Sequence, residues 1–270
     1  MSGTGQPLTS ASSRRTLMVI VAARNAGLWL TDCVRAILVQ ELPPGWSLGV
    51  AVGIDSCPAT LASATQLHGH RNLAIRYFPD HVGPYVVYNS LAWSTRSDVL
   101  VRFDADDLML PGYLARQLAK LDARLSPTVV RTWSRYVDSA LRPIAAPLAG
   151  GVRTPRDGRR ARPSDGQFMM TRNVFDRLGG FQAWRCHADT EFLQRARFAG
   201  VPFTVVEDFL YLRRVHPASL TSSGQTGYVS LYRGHRARQL EAARLHYASG
   251  GIPERIQPAL ARYLPCGGCA

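Results

Sequence analysis

Three carboxylates stand within four residues in "FDADD", where Asp104, Asp106 and Asp107 end the apolar run "VLVRF". Like charges this close repel unless a cation sits between them. Capping the helix that Pro111 opens would explain one carboxylate, but not three. Carboxylates on a short turn after a strand suit a hard divalent cation, Mg2+ or Mn2+, which keeps waters and binds phosphate as well as protein. The spacing therefore points to a metal–diphosphate site.

Such a turn has to be presented by a sheet. "TLMVIVAA" (16–23) is a continuous apolar, β-branched run, as expected of a strand buried on both faces. A helix follows, with Leu30, Val34, Ile37 and Leu38 at helical spacing and "LPPG" (42–45) stopping it. "SLGVAVGID" is a second strand ending at Asp55, and Pro58 opens a helix to about His68. "LAIRYF" (73–78) is a third strand, and Gly83 and Pro84 open the helix before "VLVRF". Strands alternating with helices imply a mostly parallel sheet with right-handed crossovers. Ligands on such sheets bind at the carboxyl ends of the strands, where Asn25, Asp55 and the 104–107 cluster all fall.

The second half is less regular. Pro111 starts a helix with Leu114, Leu118, Leu121 and Leu125 on one stripe, and "TVVRTWSRYV" reads as a strand. Residues 141–165 lose periodicity and fill with Pro, Gly and Arg, so a flexible or functional loop is expected. "QFMMT" is a strand, "NVFDRLGGF" a short helix closed by Gly179 and Gly180, and "ADTEFLQRARFAG" a helix ended by Gly200. "PFTVVEDFLYLRRVH" supplies one or two strands, and residues 226–247 read as a basic helix with Leu231, Leu240 and Leu245.

The formal charge is +13, almost all of it from arginine, since Lys120 is the only lysine. So basic a surface attracts polyanions: nucleotides, nucleic acid or acidic membrane surfaces. No apolar run is long enough to cross a membrane, and the polar start "MSGTGQPLTSASSRR" lacks a signal-peptide core, so a cytoplasmic protein is expected. The five cysteines are scattered, which argues against a disulfide framework. Cys266 and Cys269 form one CxxC, which lacks the four ligands of a zinc site unless Cys186 and His187 complete it, and the plainer reading is a frayed tail.

"VIVAARNAGLWLTDCVRAILVQ", "VGID", "HVGPYVVYN", "FDADD" and "HADTEF…RRVHPASLT", in this order and at these spacings, resemble a family 2 glycosyltransferase. The resemblance runs from about residue 16 to 222 and implies an α/β protein of the GT-A (Rossmann-like) fold, with helices flanking the sheet and a C-terminal helical segment. With the polar start and the helical pattern after residue 226, it divides the chain into a flexible N-terminus (1–15), a glycosyltransferase domain (16–222) and a C-terminal helical extension and tail (223–270). Within the domain, 16–110 would bind the nucleotide sugar, 111–222 would serve the acceptor, and 141–165 would be the flexible Arg-rich loop. Three stretches depart from the family pattern. Ala22, Ala23, Arg24 and Asn25 replace Pro-Thr-Tyr-Asn; Ile54, Asp55, Ser56 and Cys57 replace Asp-Asp-Gly-Ser; Ala188 and Asp189 replace the late Glu-Asp pair.

What the resemblance implies for single residues is as follows. Ala22, Ala23, Arg24, Asn25 and Asp55 would line the nucleotide pocket, with Gly83 and Asn89 flanking it. Asp104 would face the ribose or the metal, Asp106 would be the main metal ligand, and Asp107 would orient its neighbours. His216 would contact metal or diphosphate, and Arg213 or Arg214 would help neutralise the diphosphate. Asp189, at a helix start where the macrodipole favours an anion, would be the general base, with Glu191 as the alternative. Plainer roles exist for each: Asn25 and Asp55 as loop or cap residues, Asp189 as an N-cap, His216 as a structural histidine.

The function that follows is inverting, Mn2+- or Mg2+-dependent transfer of a sugar from a nucleotide sugar, a UDP-sugar by resemblance, to an acceptor hydroxyl. The acceptor is either a glycan or, given Arg153, Arg156, Arg159, Arg160, Arg162 and the basic helix after Arg233, a hydroxylated base in DNA. The competing classes are an inactive protein that binds nucleotide sugar or nucleic acid, and a nucleotidyltransferase. "AARNAG" is a poor version of the Gly-rich phosphate loop that a nucleotidyltransferase carries after its first strand.

Overall fold

The apolar runs of the first half become neighbouring parallel strands. The computed structural model describes residues 14–146, 148, 152–163 and 165–266. β1 (Arg15–Ala23) lies between β2 (Trp46–Asp55) and β4 (Val99–Asp104), and β3 (Leu73–Phe78) follows β2. Alternate residues of β1 enter two cores. Leu17, Val19 and Val21 pack with Leu30, Val34 and Ile37 of α1 (Leu30–Leu38), whereas Ile20 packs with Val87, Tyr88 and Leu91 of α3 (Pro84–Trp93) on the other face. Gly53 allows α3 to lie this close, since a Cβ there would sit 2.3 Å from Val87 Cγ1. α2 (Pro58–Ala64) and a single 3-10 turn (Thr65–Leu67) complete the crossover from β2 to β3.

The second half extends the sheet with other polarities. β8 (Phe168–Thr171) runs antiparallel to β4, and β6 (Val129–Val137) antiparallel to β8. β9 (Phe203–Arg214) is one long strand, parallel to β6 with register shifts beside Trp133. β5 (Leu108–Met109) closes that edge against β9. The sheet is therefore parallel where the nucleotide half was expected and mixed as a whole. The chain reaches β8 from β6 by an irregular excursion along the sheet, not by a helical crossover, so no parallel pairing is enforced.

That excursion is the Arg-rich stretch. Its described residues fold back on β6: Tyr136 N donates to Gly158 O at 2.8 Å, Ile144 N to Tyr136 O at 3.1 Å, and β7 (Arg159–Arg160) pairs with Ser134 and Arg135. The buried Thr154 hydroxyl accepts from Ala146 N at 2.8 Å, satisfying backbone that no regular strand would. The helix expected over Leu114–Leu125 is shorter, α4 (Tyr113–Leu118). The Asp122 carboxylate takes the amides of Arg124 and Ser126, a local turn that competes with the helix.

α5 (Arg172–Leu178), α6 (Ala188–Phe198) and α7 (Leu231–Ala248) complete the helices. α7 starts at Ser230, whose side chain accepts from Arg233 N. Its leucines do not form one packed stripe: Leu240 is buried, but Leu231 is 93% and Leu245 56% exposed. After α7 the chain runs extended over α3 and α5, with Ile256 N on Leu178 O and Ala261 N on Ser90 Oγ. It ends in β10 (Leu264–Pro265), antiparallel to β3, and Cys266 N donates to Ile75 O at 3.0 Å. The expected frayed tail is thus, as far as Cys266, an added strand that covers the sheet edge at β3. Residues 1–13 and Cys269 lie outside the described residues. No helix among the described residues is long and apolar enough to cross a membrane.

Candidate active site

β1, β2 and β4 all end on one edge of the sheet, and β4 delivers the carboxylates there. Each of the three finds a different partner. Asp104 Oδ1 accepts from Tyr88 OH at 3.0 Å and faces Arg102 Nη2 at 2.9 Å, while its Oδ2 accepts from Gln167 Nε2 at 2.8 Å. The Asp107 carboxylate is bound by the same Gln167 amide and by Arg214 N at 2.9 Å. Asp106 meets His216, Oδ2 to Nε2, at 2.9 Å.

Charge crowding persists despite these partners. Burial first, and then Asp106 and Asp104, push the Asp107 carboxyl well above its ordinary range; burial, with Asp106 adding, raises Asp104 although Arg102 opposes it. The Cys33 thiol, under Asp104 O at 3.5 Å, is raised by burial and then by the same three carboxylates.

Arg102 and Gln167 were not singled out from sequence. A signal existed for Arg102, a charge inside an apolar strand two residues before Asp104 and hence on the same face. Arg102 is 3% exposed, with its guanidinium 4.7 Å from the Tyr88 ring and 5.6 Å from Tyr85. Burial works against its charge, but Asp104, Tyr88, Tyr85 and Asp189 outweigh it and hold the pKa well above the ordinary value. On its other side lies Asp189 Oδ2, 3.9 Å from Nη2. One buried guanidinium therefore faces both Asp104 and the candidate base.

Asp189 sits in the first turn of α6, with Thr190 N on its Oδ1 at 2.8 Å. Glu191, two residues after Asp189, faces away from this cluster. Its carboxylate takes Arg195 Nε at 2.7 Å and Nη2 at 2.9 Å, and Arg195 also donates to Leu178 O and Gly180 O. Arg195 is 1% exposed, so the pair anchors α6 to the end of α5. Removing one partner of a buried ion pair strands the other charge, at a cost of about 3–5 kcal/mol. Glu191→Ala is accordingly expected to lower the melting temperature by roughly 10 °C, a loss read directly in a thermal melt.

The remaining expected residues divide. Arg213 is half-buried and donates to Tyr136 OH at 3.2 Å. Arg214 braces the carboxylate turn, with Nε on Asp106 O at 2.8 Å and Nη1 on Ser139 O at 3.0 Å. Its guanidinium lies over Trp29, whose ring is 4.0 Å from that of His216. Ala22 pairs with Asp104 in the last rung between β1 and β4, while Ala23, the end of β1, is buried in the core. Arg24 ties the ends of β1 and β2 by donating to Asp55 O and Ser56 O, and Asn25 takes a left-handed turn with φ +53°. Asp55 is buried and accepts from Val82 N and Gly83 N and pairs with His81, so it shapes the loop that enters α3. Gly83 adopts φ +88° there.

Asn89 departs from expectation. It is fully buried and clamps a backbone bend, accepting from Phe181 N at 2.8 Å and donating to Phe181 O and Ala259 O. A Cβ on Gly180, at φ +86°, would come within 2.6 Å of its Oδ1. Asn89 is thus engaged in holding the backbone at Phe181 and Ala259. Among the described residues no set of three or more His, Cys, Asp or Glu side chains is spaced to hold a metal ion, so Cys186, His187 and Cys266 form no zinc cluster.

Solved structures share this arrangement of elements. Staphylococcus aureus TarS 1-349 in complex with UDP-GlcNAc superposes with a TM-score of 0.64 at 17% identity, covering 86% of this chain and 66% of TarS 1-349. The same protein without that ligand gives 0.55 at 17%, covering 74% and 60%. The mannosyltransferase PcManGT from Pyrobaculum calidifontis, in complex with GDP-Man and Mn2+, gives 0.58 at 16%, covering 86% and 68%. The chain thus spans three fifths to two thirds of TarS 1-349, and identities this low speak for the fold. No curated protein matches the chain in sequence. The model of the family described as glycosyl transferase family 2 matches residues 18–215, most of the sheet and every residue of the carboxylate cluster, so the chain belongs to glycosyl transferase family 2 and has its GT-A fold.

Proposed function

We propose that the protein is an inverting glycosyltransferase that moves a sugar from a nucleotide sugar to an acceptor hydroxyl, with Asp189 as general base. The observation that carries this reading is Arg102: the guanidinium that holds Asp104 at 2.9 Å also faces Asp189 at 3.9 Å, so one side chain links the candidate base to the carboxylate turn. The donor is read as a UDP-sugar from the sequence resemblance, and the acceptor as a glycan.

Asp106 and His216 fit a divalent ion. Their 2.9 Å separation matches two adjacent ligands of an octahedral ion with bonds of about 2.1 Å. Mg2+ and Mn2+ beside phosphate need only one or two protein ligands, with substrate oxygens and water supplying the rest. Asp104, with both oxygens already engaged, is better placed to orient the turn than to share the ion. Bound there, the ion would stabilise charge developing on the leaving diphosphate. The other roles fall to the chain itself. Arg213 and Arg214 would add positive charge beside the diphosphate. Asp189 would take the proton of the acceptor hydroxyl as its oxygen bonds to the anomeric carbon and the bond to the diphosphate oxygen breaks on the opposite face.

A thermal-shift screen of nucleotide sugars tests this. With MnCl2 present, one donor should stand out, since ligand at a hundredfold excess over Kd stabilises the folded state by about 2.7 kcal/mol. With EDTA in place of MnCl2 that shift should shrink. No shift with any nucleotide sugar would sink the proposal.

A further inference from the structure

The chain preceding Asp189 packs against α7 through arginines and aromatic rings. Arg185 N donates to Tyr232 OH at 3.0 Å. The Arg236 guanidinium lies 4.7 Å from the Trp184 ring and 5.0 Å from Tyr232, and Arg233 lies 5.2 Å from Tyr228. Arg233 is held by neutral partners, with Nε on Thr226 O at 2.5 Å and Nη2 on Leu220 O at 3.3 Å. Arg236 donates from Nη1 to Gln239 at 2.7 Å, while its Nε is buried without a partner.

These charges are not compensated. From Phe209 to Leu240 the chain contains no Asp or Glu. The nearby carboxylates are engaged elsewhere: Glu241 with Arg244, Glu191 with Arg195, and Asp189 facing Arg102. Among the described residues none of Arg185, Arg233 and Arg236 has a carboxylate partner. A chance basic face would leave its arginines free in solvent, whereas Arg233 and Arg236 are half-buried, stacked on rings and fixed by backbone or amide oxygens. Stacking leaves a guanidinium charged, and the bonds above engage neither Arg233 Nη1 nor Arg236 Nη2, which leaves these nitrogens to meet an anion. Arg233 also reaches the active site electrostatically, since it joins burial in lowering the His187 pKa, two residues before Asp189.

We propose that Trp184, Tyr232, Arg233 and Arg236 form the acceptor subsite beside Asp189, built for a glycan carrying phosphate or carboxylate groups. This rests on the transfer reading above. An acceptor with anionic groups has to approach a carboxylate base and a diphosphate, and these arginines offset that repulsion. A glycan fits better than a nucleic acid because the ring faces that would stack bases are already covered by guanidinia.

The test measures binding by fluorescence anisotropy with three labelled probes: a heparin octasaccharide, neutral maltooctaose and a thymidine dodecamer. The wild type should bind the heparin octasaccharide at least about tenfold more tightly than maltooctaose, and raising the salt should weaken that binding. Arg236→Met should lose about fivefold to tenfold of that affinity, the net worth of one hydrogen bond made in competition with water. Arg244→Met, which removes the same charge near the far end of α7, should change it less than about twofold. Equal binding of maltooctaose, or equal losses in the two variants, would overturn the proposal. So would preference for the dodecamer, which would make the surface a nucleic-acid site. Donor binding in the thermal-shift screen separates the two readings. A donor that binds while the octasaccharide does not removes this inference alone, whereas failure of every donor removes the transfer reading whatever the octasaccharide does.

Discussion

Asp106→Ala is expected to lower nucleotide-sugar turnover by about a hundredfold to a thousandfold, the usual effect of removing one group that stabilises transition-state charge. The reason lies in how the three carboxylates are shared. Asp104 and Asp107 are held by protein donors, while the Asp106 side chain has His216 as its partner. The fold should not suffer. Arg214 holds the Asp106 backbone carbonyl, which alanine retains, and losing one like charge relieves Asp104 and Asp107, both of which Asp106 pushes up. The expected signature is therefore lost turnover, a melting temperature unchanged or higher in EDTA, and loss of the stabilisation by MnCl2. Equal donor turnover in variant and wild type would end the metal-seat assignment. A wild type that binds donors without turning them over would make the protein a binder instead of an enzyme.

The second large effect is expected at Asp189. Asp189→Asn keeps an oxygen to accept from Thr190 N, so the start of α6 should hold. The amide cannot take a proton, and transfer should fall by about 10^2–10^4-fold, the range of a general base. The loss should appear in kcat with the donor KM little changed, because the donor contacts proposed above lie at the carboxylate turn and not on α6. Glu191 offers no replacement while it is paired with the buried Arg195. Normal transfer by the asparagine variant would show that the base is elsewhere.

Much of the frame was legible in the residues because local patterns encode it. The β-branched run at 16–23 and the mostly apolar run at 73–78 became β1 and β3, and Pro58 and Pro84 opened α2 and α3. What misled was local pattern overruled by distant or competing contacts. The described residues of the Arg-rich stretch show no period because Thr154, the two-residue β7 and isolated pairings with β6 hold them, not a long strand or helix. Leu121 and Leu125 continue the stripe of α4, but the Asp122 turn ends the helix before them. Cys266 looked like a tail until the edge of β3 offered it a partner.

The same division holds at the site. By itself the sequence determined where strands end, and therefore that Asn25, Asp55 and the 104–107 carboxylates share one edge, because period and strand length are properties of neighbouring residues. Only the tertiary structure decided which side chains face each other there. Gln167 binds Asp104 and Asp107 across about sixty residues, and His216 meets Asp106 across 110. Asn89 and Glu191, acidic or polar in a suggestive place, were drawn into the interior by Phe181 and Arg195. Partner choice depends on which surfaces the crossovers bring into contact, and no spacing along the chain reports that.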